Sequence, residues 1–124
     1  MTEDSLAPFA DQKYLNLESY RKSGEPVRTP VWFAQDGRVL YTYSRADAGK
    51  VKRIRNNPRI RMAPCDVRGR LNGDWVDAEA RIEDRAGAEH GHGLLDRKYG
   101  LVKKLGDAFS RMMKRQRVVI SIRV

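Results

Sequence analysis

Between Arg28 and Arg59 the hydrophobic period changes twice, and the rest of the chain must fold around that change. Arg28-Thr29-Pro30-Val31-Trp32-Phe33 is rich in β-formers, and Asp36-Gly37 is a strong hairpin turn. Val39 to Ser44 alternates, with Tyr41 and Tyr43 on one face and Leu40 and Thr42 on the other. From Asp47 to Asn56 the apolar residues Ala48, Val51 and Ile54 shift to helical spacing, while Lys50, Lys52, Arg53 and Arg55 take the other faces. Asn57-Pro58 ends that helix, because the residue before a proline is pushed out of the α region. Arg59 to Cys65 returns to alternation. The order is strand, turn, strand, helix, stop and strand, and the helix opens on positive charge.

The flanking segments extend a sheet. Lys13 to Tyr20 alternates, with Tyr14, Asn16 and Glu18 opposite Leu15, Leu17 and Ser19. Lys22-Ser23-Gly24-Glu25 reads as a turn into the strand Pro26 to Ala34, which Pro30 should make bulged or place partly at an edge. Leu71-Asn72-Gly73-Asp74 is a hairpin signal, and Trp75 to Glu83 alternates cleanly. Asp84 to Tyr99 is ambiguous: Leu94, Leu95 and Tyr99 suggest a helix that Gly87, Gly91 and Gly93 weaken by about 1 kcal/mol each. Leu101, Leu105, Phe109 and Met112 form a helical stripe running to Lys114, and Arg117 to Val124 closes as a strand. Leu6 and Phe9 could pack in a short helix. About six antiparallel strands with two or three helices imply a mainly β protein, a small barrel closed to remove its edges.

The 124 residues fit one domain, 1–124, with a modest core, so a partner subunit would help it. A hydrophobic fraction of 40% is too high for a disordered chain. There is no apolar run long enough for a membrane span. The start lacks a signal-peptide pattern, and one cysteine, Cys65, fits a reducing compartment, so a cytoplasmic location is expected. Net charge is +9, and eight basic residues between Lys50 and Arg70 face one acid, Asp66. A second basic group comprises Lys103, Lys104, Arg111, Lys114, Arg115 and Arg117. Nucleic acid, a polyanionic cofactor or acidic small molecule, and plain solubility each account for this charge.

The strongest local chemistry lies from Thr42 to Arg55. Unpaired N–H groups and the helix dipole stabilise an anion at a helix start. Lys50 and Lys52 add charge, Thr42 and Ser44 can donate from hydroxyls, and Arg28 could add a two-pronged fork. The competing reading is a solvated basic face. Thr29 to Trp32 could offer backbone groups and an apolar wall to a planar ring, against a bulge with Trp32 in the core. His90 and His92 lack metal-ligand spacing and read as surface residues, and Cys65 reads as a structural strand residue. No catalytic constellation emerges, so in an enzyme a cofactor would carry the reactive atoms.

Together these stretches resemble the pyridoxamine 5′-phosphate oxidase-like split-barrel superfamily, and within it the small actinobacterial enzymes that use the deazaflavin coenzyme F-420. The likeness is carried by Lys13-Tyr14-Leu15-Asn16-Leu17, Glu25-Pro26-Val27-Arg28-Thr29-Pro30-Val31-Trp32-Phe33, and the run from Gly49 through Asn57-Pro58 to Arg59. Met62-Ala63-Pro64-Cys65-Asp66 and the Trp75 strand also fit. The resemblance implies a six-stranded antiparallel split barrel of the FMN-binding type. It further implies a homodimer with a cofactor cleft between subunits, and hydride transfer with a small-molecule substrate without a protein nucleophile. Carried over, Arg28, Thr29, Pro30, Val31, Trp32, Thr42, Ser44, Gly49, Lys50, Lys52, Arg53 and Arg55 would bind F-420, with FMN as the alternative. The basic residues Arg53, Arg55, Arg59 and Arg61 would meet its phosphodiester and polyglutamate tail, which disfavours nucleic acid as the partner. Vitamin B6 oxidases carry an additional C-terminal arginine–histidine segment, and the ending Ile122-Arg123-Val124 argues against that activity. Arg45-Ala46-Asp47-Ala48-Gly49 also departs from the Ser-Arg-Lys turn of FMN-binding relatives.

Overall fold

Alternating apolar residues set the architecture. The computed structural model describes residues 5–112 and 116–124, less the side chains at 101, 106 and 109–112. Seven strands form one antiparallel sheet: β1 (Tyr14–Tyr20), β2 (Pro26–Trp32), β3 (Ala34–Asp36), β4 (Val39–Arg45), β5 (Arg59–Cys65), β6 (Val76–Ile82) and β7 (Arg117–Arg123). Their order is β2-β1-β5-β6-β7-β4-β3. The sheet curls until β2 comes against β4, without a hydrogen-bonded ladder between them. This is a split barrel.

Leu15, Leu17, Leu40, Ile60, Met62, Ala78, Ala80, Ile120 and Ile122 fill the concave side, joined by Phe9 and Leu6 from the turn around the 3-10 helix Ala7–Phe9. Helix α1 (Gly49–Asn56) adds Ile54 to that core and stops at Asn57, whose backbone is extended. Helices α2 (Arg85–Tyr99) and α3 (Leu101–Met112) lie outside, and α2 packs on β3, β4 and β7.

Six strands were expected and seven are present, because the Pro26–Ala34 strand breaks at Phe33. There the Tyr99 hydroxyl stands in for a neighbouring strand. It accepts from the Phe33 N–H at 3.0 Å and lies 2.8 Å from the Phe33 carbonyl and 2.6 Å from that of Lys13, to one of which it donates. The proline-bearing strand does lie at the sheet edge. Asn72-Gly73 belongs to the longer 66–75 connection, not to a tight hairpin. Of the stripe from Leu101 to Lys114, Leu105 has a described side chain, 63% exposed, whereas those of Leu101, Phe109 and Met112 lie outside the described residues. So do the side chains of Arg111, Lys114 and Arg115.

The ambiguous Asp84–Tyr99 segment is a helix capped by Asp84, whose carboxylate accepts from the Gly87 N–H at 2.9 Å. Gly91 permits α2 to sit on the sheet: a Cβ there would come within 2.6 Å of Val119 and 3.3 Å of Tyr41. Nothing lies within 4 Å of a Cβ at Gly93. Gly91→Ala should therefore destabilise by about 1–3 kcal/mol through overpacking. Gly93→Ala should stabilise by up to about 1 kcal/mol through helix propensity. Urea unfolding of both variants checks this, and equal effects would rule it out.

Candidate functional site

Two strand edges face each other across the split. β2 pairs with β1 alone, and β4 pairs with β3 only from Val39 to Tyr41. Beyond Phe33 the lips of the split are therefore β2 and the stretch Thr42 to Arg45. Unpaired strand edges leave backbone N–H and C=O groups to be satisfied by something else.

Helix α1 follows β4 and packs against β1 and β6. Its first turn holds no acid, and Ala48 gives no side-chain cap. The Arg53 Nε donates to the Ser19 Oγ at 2.8 Å, and Ser19 is the register partner of Val27 on β2. The guanidinium folds over Gly49, where a Cβ would lie 2.8 Å from one of its terminal nitrogens. Helix α1 thus runs from the end of β4 to β1. Burial, then the charge of Arg53, pushes the Lys50 ammonium below its usual range. A helix dipole, a lysine and an arginine converge there with no acid from the helix's first turn. The Thr42 hydroxyl is fully buried and has no hydrogen-bond partner among the described residues. Ser44 is also buried, and its hydroxyl donates only to the adjacent Arg45 carbonyl at 3.2 Å. Cations and the unpartnered Thr42 hydroxyl fit a phosphate.

The register divides the expected site residues between two faces. Thr29 and Val31 share the concave face with Leu17 and Leu15, as Thr42 and Ser44 do with Ile120 and Val118. Gly49, Lys50 and Arg53 lie at the end of that side. Pro30 and Trp32 form the outer lip. The Trp32 ring stacks on Tyr99 at 4.4 Å and 8°, and meets Tyr43 edge-on at 6.4 Å. Lys52 and Arg55 are exposed on α1 and join neither group. Arg28 lies on the outer face, where its Nε donates to Glu18 at 2.7 Å, so a single chain does not bring it to Lys50.

Sequence reasoning missed Ser19, Glu18 and Tyr99. Ser19 carried a signal, being the polar exception on the Leu15–Leu17 face. Glu18 did too, flanked by arginines on both neighbouring strands once the register is known. Tyr99 lies 66 residues from Phe33 and carried none.

A groove of about 640 Å³ passes Tyr20, Asn57, Arg59 and Arg123 beyond the other end of α1. It includes Arg59, expected to meet the acidic tail, but none of the residues expected at the phosphate or the ring, and the Asp77 and Glu79 carboxylates in its wall suit an anion less well. His90 pairs on the surface with Asp36 at 2.8 Å, whereas His92 is half-buried against Tyr43, not a surface residue, and burial lowers its pKa. Cys65 is buried, its thiol pushed up to about 11 by that burial. Among the described residues no three His, Cys, Asp or Glu gather as metal ligands, and no helix is long and apolar enough to cross a membrane.

Residues 1–124 match the family described as pyridoxamine 5′-phosphate oxidase. None of the curated proteins matches. Among solved structures, the chain is similar to a candidate 5-nitroimidazole antibiotic resistance protein from Bacteroides thetaiotaomicron (14% identity, TM-score 0.71, covering 99% of this chain and 81% of that one). It is similar to an F-420 reductase (22%, 0.61, 99% and 94%). A FAD-binding protein from Mesorhizobium loti is also similar (16%, 0.62, 94% and 82%).

Proposed function

The chain belongs to the pyridoxamine 5′-phosphate oxidase family, and from that premise we propose that it is an F-420-dependent oxidoreductase acting on a small organic molecule. The observation that carries this reading is the acid-free start of α1, where Arg53 folds over Gly49 next to Lys50, together with the buried, unpartnered Thr42 hydroxyl on the strand that leads into it. When bound, the deazaflavin supplies or accepts the hydride. Lys50 and Arg53 hold its phosphate, with Thr42 and Ser44 donating hydroxyl hydrogen bonds. The edge of β2 from Thr29 to Val31 offers backbone groups to the ring, and Trp32, backed by Tyr99, excludes water from it. Lys52, Arg55 and Arg59 steer the acidic tail through long-range attraction. The open lips of the split are completed by a second copy of the chain.

Absorbance and fluorescence titrations with F-420 and FMN test the reading. F-420 should bind and do so more tightly than FMN. Tighter FMN binding would make the protein a flavoprotein instead. Absence of both, with nucleic-acid binding that falls steeply with salt, would replace the reading by a basic binding module.

A further inference from the structure

A second cationic centre lies on the outer face, apart from Lys50. The Glu18 side chain is 1% exposed, yet three donors surround it. Arg61 donates from Nε at 2.7 Å and from Nη2 at 3.1 Å, Arg28 from Nε at 2.7 Å, and Tyr20 from its hydroxyl at 2.7 Å. Both guanidiniums also cover the Trp75 ring, at 4.9 and 5.0 Å from its centre. Asp77 is the register neighbour of Arg61 and forms no ion pair with it.

This arrangement leaves hydrogen-bonding capacity unused. A guanidinium carries five N–H donors. Glu18 takes only the Nε of Arg28, so both terminal nitrogens of Arg28 have no hydrogen-bond partner among the described residues. The two side chains are 52% and 37% exposed. Two cations against one buried carboxylate leave a surplus positive charge, held in a fixed orientation by Glu18 and Trp75. Fixing a receptor before its ligand arrives removes part of the ordering cost of binding.

We propose that Arg28 and Arg61, pinned by Glu18 and stacked on Trp75, form a preorganised receptor for an oxyanion, a carboxylate or a phosphate, on the outer lip of the split. The proposal goes beyond the coenzyme reading and does not need it. The oxyanion comes either from the coenzyme or from an acidic substrate.

The chain has two tryptophans, so Trp32→Phe leaves Trp75 as the sole reporter. In that background, inorganic phosphate should change Trp75 fluorescence saturably. Arg28→Lys keeps the charge but loses the fork, and should weaken phosphate about tenfold. Glu18→Gln makes the centre more positive yet unpins the fork, and should weaken it several-fold too. Should Glu18→Gln not fold, Arg28→Lys decides alone. Tighter phosphate binding by Glu18→Gln, no saturable signal, or loss with Lys50→Ala but not with Arg28→Lys would overturn the receptor. F-420 affinity of Arg28→Lys then assigns the source: a parallel loss identifies the coenzyme, and an unchanged value identifies a separate acidic ligand. Failure of F-420 to bind the chain with Trp32 intact, with the phosphate signal present, would sink the coenzyme reading and leave the receptor standing.

Discussion

Lys50→Ala is expected to weaken F-420 binding by about 1.5–3 kcal/mol, ten- to a hundredfold or more in Kd. The reasoning begins with what Lys50 lacks. Helix α1 places it in the first turn, where the dipole already repels a cation, and no acid in that turn offsets it. Burial and Arg53 raise the cost of its charge further. An anion relieves all of these terms at once, so the loss on removing Lys50 should exceed that for an exposed charge. Lys52 supplies the control: it is exposed on the same helix, and Lys52→Ala should change affinity by less than about 0.5 kcal/mol. Titrations of both variants at one ionic strength settle the matter. Equal losses would mean that the helix acts only through diffuse charge, and an unchanged Lys50→Ala would move the phosphate elsewhere.

The strands were legible because their alternation is strict. The expected faces of β1 and β4 match the register, and Arg59–Cys65 has the expected bounds. Two things were not legible. The break at Phe33 depends on a hydroxyl brought from the end of α2, and no local propensity encodes such a partner. The α2 helix was obscured by its glycines, although Gly91 is small because the helix rests directly on Val119 and Tyr41. For the site, helix-start logic and hydroxyl spacing grouped Thr42, Ser44, Gly49, Lys50 and Arg53, and the register sets Thr42 and Ser44 on the concave face. Arg28 was grouped with them because adjacency in a hairpin says nothing about the face. Odd and even positions of β2 point to opposite sides of the sheet, and Arg28 shares its parity with Trp32, not with Thr29.

Acidification should reveal how much Glu18 contributes to stability. Its hydrogen bonds from Arg61, then those from Arg28 and Tyr20, outweigh burial and hold its carboxyl at about 2, against 4.5 unperturbed. A depressed folded-state value contributes stability that is complete above the unfolded value and lost as pH falls toward the folded one. The shift is equivalent to at most about 3 kcal/mol, because the arginines are partly solvated, and about 2 kcal/mol of it should be gone by pH 3. For a chain of this length that is a fall in Tm of about 8 °C. Asp66, lowered by the Arg70 and Arg68 backbone N–H groups, titrates in the same direction. It does so equally in wild type and in Glu18→Gln, so the comparison cancels it. Glu18→Gln should therefore begin less stable at pH 7 and lose less on going to pH 3. Parallel Tm curves for the two proteins would mean that the Glu18 carboxylate gains nothing from its arginines on folding, and would also remove the physical basis for a pinned Arg28 fork.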